Sequence, residues 1–156
     1  MSHDSDKTAS NKPGEIHPLQ QKGTLFMLDV LQLVLLSVIF GGMVTFQVLF
    51  APLVFIKIKI DVARPFIRAF FPFYYLYFAL SSLLYLVVSL LIGDNIQAMI
   101  GGGSLVGFLI SRQVLMPMAN TASDNDQKSK FDMLHRTTVL INTLQLIAFF
   151  AALLFI

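Results

Sequence analysis

The sequence predicts an all-α integral membrane protein folded as an antiparallel four-helix bundle. Hydrophobic residues make up 56% of the chain and charged residues 13%, and the mean hydropathy is +0.74. A helix needs about 20 apolar residues to cross about 30 Å of hydrocarbon, and four apolar segments reach that length. Their short connections leave no sequence for a water-soluble core and make successive helices antiparallel. The predicted helices cover residues 25–55, 69–92, 96–118 and 134–156.

Residues 1–24 are polar and show no apolar periodicity, so they predict a disordered N-terminal tail ahead of one transmembrane domain, residues 25–156. The tail is not typical of a signal peptide. A signal peptide has an apolar stretch of about 7 to 15 residues, whereas the first apolar run here is far longer. We expect the first helix to be retained.

Positive charge predicts the orientation of the bundle. Of eleven Lys and Arg residues, eight lie in or beside the connections between the first and second helices and between the third and fourth. Such residues are held in the cytoplasm, so both termini are predicted outside, at the cytoplasmic membrane if the protein is bacterial. Membrane lipid is the expected partner of these side chains. The net charge of +2 is too small to indicate a nucleic-acid surface. The eight are Lys57, Lys59, Arg64, Arg68, Arg112, Lys128, Lys130 and Arg136.

Small residues recur every fourth position in two of the predicted helices. Lipid tails are as apolar as leucine, so membrane helices associate through close packing, which small residues allow. Two such ladders in one small bundle favour packing between its own helices, with homodimerisation or contact with other membrane subunits as the alternative. The ladders are Ser37, Gly41 and Thr45 in the first helix and Gly103, Gly107 and Ser111 in the third.

Polar residues inside the apolar segments supply the candidate functional site, because each is costly in hydrocarbon unless it is paired. In the fourth helix, His135, Thr138, Asn142 and Gln145 share one stripe at helical spacing, which we expect to face the bundle interior. Hydrogen bonds between helices explain this stripe, and a polar pathway or ligand site is the alternative.

Arg112 stands near the predicted cytoplasmic end of the third helix. Snorkelling to the headgroups explains it simply. The functional interpretation groups it with other polar residues around a cytoplasm-facing vestibule that binds an anion or a carboxylate. The candidate residues of this polar cluster are Gln47, Arg64, Arg68, Arg112, His135, Asn142 and Gln145.

Nine residues at the start of the second predicted helix, 70–78, include seven aromatic side chains. We interpret them as an interfacial belt, since tyrosines favour the headgroup boundary, with an aromatic ligand platform as the alternative. Pro72 is expected in the first turn of that helix, where its missing N–H costs little.

No catalytic or metal-binding motif is present: the chain has no cysteine, no Walker loop, no HExxH and no GxSxG. The sequence therefore favours a non-enzymatic role and indicates no metal and no cofactor. One helix-embedded histidine, His135, leaves haem-linked redox chemistry open as a remote alternative, because a single histidine is weak evidence of a haem ligand.

Four stretches of the sequence together resemble a known family: residues 40–55, 66–78, 111–122 and 131–146. They are similar to the transmembrane-protein-205-like family, a domain of unknown function. The resemblance implies a four-helix membrane protein, and the family's animal member is associated with drug and platinum tolerance; no reaction is implied. The residues that carry the resemblance are Gly41, Gly42, Pro52, Phe71, Pro72, Arg112, Pro117, His135 and Asn142.

The sequence favours small-molecule or ion handling, including transport, through the cytoplasm-facing polar cluster. A non-catalytic assembly or structural subunit of a larger membrane complex is the second hypothesis, motivated by the small size and the ladders. Haem-linked redox chemistry through His135 is the third.

Overall fold

A computed structural model describes residues 18–155. Its elements are α1 Pro18–Thr45, a π-helical turn Phe46–Phe50, α2 Ala51–Lys57, α3 Ile60–Ile92, α4 Asn95–Ile110, a second π-helical turn Ser111–Leu115, α5 Met116–Asp124 and α6 Lys128–Leu154. Each π turn joins its two flanking helices without a break. The described chain therefore forms four continuous helices, each long and apolar enough to cross a membrane. The predicted all-α fold class is confirmed.

All four helices extend clearly beyond their apolar segments. The second begins at Ile60, ahead of the predicted residue 69, and the fourth begins at Lys128, ahead of residue 134. Hydropathy marks only the part of a helix that lies in hydrocarbon, so polar helical ends escape it. The predicted tail covers residues 1–24. Residues 1–17 lie outside the described residues, whereas residues 18–24 belong to α1.

The expected place of Pro72 is wrong, because it lies in the interior of α3 rather than in its first turn. Proline lacks an N–H, so the carbonyl of Arg68, four residues earlier, has no donor from Pro72. Pro65 stands within the same helix. The part of α3 nearest the predicted cytoplasmic side therefore lacks two of its backbone hydrogen bonds, those that Pro65 and Pro72 cannot donate.

Two connections meet at one end of the bundle and one at the other. Residues 58–59 and 125–127 lie between helices at the end that carries the basic residues, which we call the basic end. Gly93 and Asp94 form the turn at the opposite end, the Gly93 end. Gly93 adopts φ +88° and ends α3 in the left-handed conformation that glycine allows, and Asp94 Oδ1 accepts the backbone N–H of Gln97 at 3.1 Å, which caps α4.

The outside of the bundle is apolar and the inside is closely packed. Val34, Leu84 and Leu144 are among the many large hydrophobic side chains left exposed, as expected of a surface that faces lipid. Fully buried side chains include Leu36, Tyr85, Phe108 and Phe149, one or more from each membrane-length helix. The core thus lies along the bundle axis and joins all four helices.

Glycine permits the closest helix contact. A Cβ at Gly101 would lie 3.1 Å from the backbone nitrogen of Leu86, so α4 approaches the backbone of α3 more tightly than alanine normally allows. A Cβ at Gly107 would lie 2.6 Å from Nε2 of Gln145 in α6. These two glycines bring the third helix against both of its neighbours.

Candidate functional site

Both π turns precede a proline. Ala51 N–H donates to the carbonyl of Phe46, and Met116 N–H donates to the carbonyl of Ser111, in each case five residues back and immediately before Pro52 or Pro117. A proline ring clashes with the carbonyl four residues earlier, and a widened turn relieves that clash. The first turn contains Gln47 and the second contains Arg112, two predicted site residues. π turns inside α-helices occur frequently at functional sites.

The two π turns flank the same segment of α3. The ring of Phe46 packs on that of Tyr74 with centroids 4.4 Å apart, and Arg112 Nε donates to the carbonyl of Pro72 at 3.2 Å. The fourth helix reaches this segment too, because Asn142 Nδ2 donates to the hydroxyl oxygen of Tyr74 at 3.1 Å. Side chains from all four helices therefore meet at residues 72–74. We call Pro72, Tyr74, Arg112 and Asn142 the inner polar cluster.

Arg112 is half-buried, and most of its hydrogen-bond donors have no described partner. Guanidinium offers five N–H donors in a planar fork. Among residues 18–155, Arg112 donates one hydrogen bond, from Nε to Pro72, and it forms no ion pair with a described carboxylate. Its terminal nitrogens therefore retain their capacity to hold a planar anion.

Two amide side chains near the inner polar cluster leave a polar atom without a partner among the described residues. Gln145 is buried and donates from Nε2 to the carbonyl of Ser104 at 2.8 Å, but its Oε1 is unpartnered. Nε2 of Gln47 is likewise buried and unpartnered. One site thus offers an acceptor and the other a donor. Unpaired buried polar atoms are costly, so each is a place where water or a ligand gains a hydrogen bond.

A second polar network, which the sequence did not predict, joins the helices at the Gly93 end. Tyr85 donates from its hydroxyl to Oε1 of Gln97 at 2.6 Å, and Gln97 donates from Nε2 to the carbonyl of Ala152 at 3.2 Å. Gln32 Nε2 donates to the hydroxyl oxygen of Ser89 at 2.9 Å, and Ser89 donates to the carbonyl of Tyr85 at 2.8 Å. Gln97 and Ser89 are polar residues inside or beside apolar segments, and this position in the sequence could have indicated the second network. Paired as they are, they tie four helices together.

The predicted site residues divide into two groups. Arg112 and Asn142 reach the inner polar cluster, Gln47 lies next to Phe46 at its edge, and Gln145 lies one helical turn deeper. The other residues are peripheral. Arg68 pairs with Asp124 at 2.6 Å and its guanidinium is 3.5 Å from the carbonyl of Asn120, whereas Arg64 is exposed.

His135 is also exposed, and its ring lies parallel to that of Phe131 with centroids 6.0 Å apart. The two rings belong to the same face of α6, at the basic end. His135 thus stands outside the bundle interior. Within residues 18–155 no group of three His, Cys, Asp or Glu side chains has the spacing to hold a metal ion.

The aromatic run of α3 divides between two faces. Tyr74, Tyr75 and Phe78 are buried in the core, whereas Phe73 and Tyr77 are exposed. A belt at the headgroups accounts for the exposed pair alone. The buried side chains instead pack the inner polar cluster.

The two small-residue ladders have different surroundings. Ser111 is buried, and Gly107 lies against Gln145 of α6. Ser37, Gly41 and Thr45 are all exposed. The ladder of the first helix is therefore not covered by any other described helix of the bundle.

The family to which the chain belongs follows from the segment that holds both π turns and α3. Residues 34–128 match the family model of DUF4149, a domain of unknown function, and they make up more than half of the 156 residues. The chain is a member of the DUF4149 family. No curated protein and no solved structure matches it.

The DUF4149 match includes Pro72, Tyr74 and Arg112, three of the four residues of the inner polar cluster, together with Gln47 at its edge. The fourth residue of the cluster, Asn142 in α6, lies beyond the matched residues. The DUF4149 segment therefore supplies the arginine and both π turns.

Replacing Tyr85 by Phe should destabilise the bundle without altering its packing, because Oε1 of Gln97 loses its donor in a water-free interior. The expected cost is about 1 kcal/mol, the usual range for a hydrogen bond between membrane helices. Thermal unfolding of the detergent-purified protein, followed by circular dichroism, measures it. Tyr77→Phe is the matched control, since Tyr77 is exposed. Equal stability of both variants would show that the Tyr85 hydroxyl contributes nothing.

Proposed function

We propose that this DUF4149 protein binds a small anionic solute, such as a carboxylate, at Arg112 in the inner polar cluster and carries it across the membrane. One observation supports this proposal above all. Arg112, a half-buried residue of a membrane-length helix, makes a single hydrogen bond to a described residue, from Nε to the carbonyl of Pro72. A charged side chain is costly within a membrane-spanning segment, and such residues therefore usually serve a function.

The surroundings of Arg112 favour an anion over a cation. Among residues 18–155 no carboxylate pairs with Arg112, and Asn142, Gln47 and Gln145 add neutral amide groups around it. An anion would accept from the terminal nitrogens of Arg112 in the bidentate geometry that guanidinium favours. The unpartnered Nε2 of Gln47 offers a further donor.

Kinship with the transmembrane-protein-205-like family forms part of this proposal. Pro72, Arg112 and Asn142 carry that resemblance in the sequence, and all three meet in the inner polar cluster. Their shared location supports a common function for them.

The basic end is proposed to face the cytoplasm, because positively charged residues near membrane helices are held there. Asn125→Cys at the basic end and Asn95→Cys at the Gly93 end test it, since the chain has no other cysteine. A thiol reagent that cannot cross membranes should label Asn95→Cys in intact cells and Asn125→Cys only after the cells are opened. The reverse pattern would place the basic end outside.

Replacing Arg112 by Ala should abolish solute uptake, whereas Arg112→Lys should retain a smaller part of it, because lysine keeps the charge but not the planar fork. Uptake of labelled carboxylates, chloride and phosphate into vesicles that contain the purified protein measures this. Arg112→Lys loses the bidentate contact, so its uptake is expected to be lower than that of the unchanged protein by about tenfold or more.

Lys57→Gln is the matched control for Arg112→Ala, since it removes one exposed positive charge at the same end. It should leave uptake unchanged. The amount of each variant in the membrane and its thermal stability are measured beside uptake. Normal uptake by Arg112→Ala would show that transport does not need Arg112. Uptake that falls only in proportion to the amount of folded protein would mean that Arg112 serves the structure through Pro72.

A second function, as a subunit that assembles with another copy or another membrane protein, is favoured by the uncovered ladder of the first helix. The first and third helices each carry a ladder of small residues at a spacing of four. These ladders are Ser37, Gly41 and Thr45 in the first helix and Gly103, Gly107 and Ser111 in the third. The ladder of the third helix packs partly against α6. Its counterpart has no such cover, and small residues are what close helix contacts require.

Assembly through this ladder predicts that Ser37→Cys forms a disulfide-linked dimer in native membranes under mild oxidation. The control is Met43→Cys, whose position is buried inside the bundle. Dimers should appear on a non-reducing gel for Ser37→Cys alone. If both variants stay monomeric while partner capture also finds no other subunit, the ladder faces lipid and the assembly hypothesis fails.

A further inference from the structure

An ion pair ties the second and third membrane-length helices together at the basic end. Within residues 18–155, Nη2 of Arg68 in α3 lies 2.6 Å from Oδ1 of Asp124, the last residue of α5. The same nitrogen of Arg68 lies 3.5 Å from the carbonyl oxygen of Asn120 in α5. Arg68 is therefore held against the C-terminal end of α5, where free carbonyls and a carboxylate both attract a cation.

This ion pair lies close to the contact that holds Arg112. Arg68 precedes Pro72 by one helical turn, and the carbonyl of Pro72 accepts the Nε hydrogen of Arg112. Four residues at 1.5 Å per residue separate the two points of α3 by about 6 Å, with Arg68 nearer the basic end. Both contacts join α3 to the third membrane-length helix. A solute that enters between these two helices from the basic end therefore meets Arg68 before Arg112.

Asp124 carries the same chemical group as the proposed solute. A carboxylate is the group that a guanidinium binds best, and Arg68 already contacts one. The side chains of Arg68 and Asp124 are 38% and 58% exposed, and ion pairs this exposed contribute little net stability. A carboxylate from solution can therefore take the place of Asp124. The carbonyl of Asn120 stays beside Arg68 when Asp124 leaves, so the guanidinium keeps its position.

We propose that Asp124 is a built-in competitor of the transported carboxylate. Its own carboxylate occupies Arg68 at rest, and a solute displaces it there before moving on to Arg112. Asp124 thereby sets the solute concentration at which entry begins. Because this role rests on the transport proposal for Arg112, it concerns entry of the same solute from the basic end.

The first test measures how fast phenylglyoxal, a reagent that modifies arginine, reacts with Arg68 in the purified full chain. Mass spectrometry of the digested protein reads the modification at each arginine. Asp124→Asn should raise the rate at Arg68 about two- to fivefold, the range expected for loss of an exposed ion pair. Sodium acetate should protect Arg68, and at a lower concentration in Asp124→Asn than in the unchanged protein. Sodium chloride at equal ionic strength controls for screening.

Asp126→Asn is the matched control for Asp124→Asn. Asp126 is an exposed carboxylate two residues away, and asparagine also adopts its φ of 54° readily. This variant should leave both the rate at Arg68 and the protection by acetate unchanged, and exposed Arg64 is the reference within each sample. Faster modification of Arg68 in Asp124→Asn without protection by acetate would overturn the proposal, because the pair would then be a structural contact alone.

The second test measures the half-saturating concentration for uptake of a labelled carboxylate into vesicles that contain the protein. Asp124→Asn should lower this concentration about two- to fivefold, and Arg68→Gln should raise it. The double variant should equal Arg68→Gln, because the competitor then has no guanidinium to occupy. If the pair serves only the structure, both single variants lower the amount of folded protein and leave the half-saturating concentration unchanged, which would contradict the proposal.

The two tests together separate the competitor role of Asp124 from the transport proposal. If Arg112→Ala abolishes uptake but Asp124→Asn does not lower the half-saturating concentration, transport stands and the competitor role fails. If the unchanged protein takes up no solute but acetate protects Arg68 at a lower concentration in Asp124→Asn, transport fails. Arg68 then remains a carboxylate site that Asp124 occupies.

Discussion

The absence of water from the hydrocarbon layer is the constraint on which this structure depends. A polar group placed there must find its partner inside the protein, and the network of Tyr85, Gln97, Ser89 and Gln32 meets this requirement with bonds that cross between helices. The inner polar cluster meets it less completely. Arg112 has one described partner, and polar atoms of Gln47 and Gln145 have none. Oγ of Ser82, farther along α3 toward the Gly93 end, has no described partner either, so it is the free donors of Arg112 that make the inner polar cluster the candidate site.

The sequence predicted the four helices well because hydropathy measures the property that hydrocarbon selects. It predicted their ends poorly, since α3 and α6 continue as polar helices past the apolar segments. The π turns were not predicted either. Pro52 and Pro117 were visible, but a helix interrupted by proline can bend, end or widen, and only the surrounding packing decides which of these occurs.

The candidate site was predicted in part, and helical geometry explains the remainder. Leu134, Gln145, Phe149 and Ala152 are buried and mark the inward line of α6. His135 follows Leu134 by one residue, a rotation of about 100°, and this turns its ring outward against Phe131. Even spacing along a stripe showed which residues share a side of the helix, but it did not show which side faces the core.

The connections between the membrane-length helices are only two or three residues long, at 58–59, 93–94 and 125–127. Loops of this length cannot act as lids that swing over a site. Any opening of the bundle must therefore come from the helices themselves, by sliding past one another or by bending, on a scale of microseconds to milliseconds. Bending needs flexible points within the helices, and the π turns before Pro52 and Pro117, with Pro72 between them, provide three.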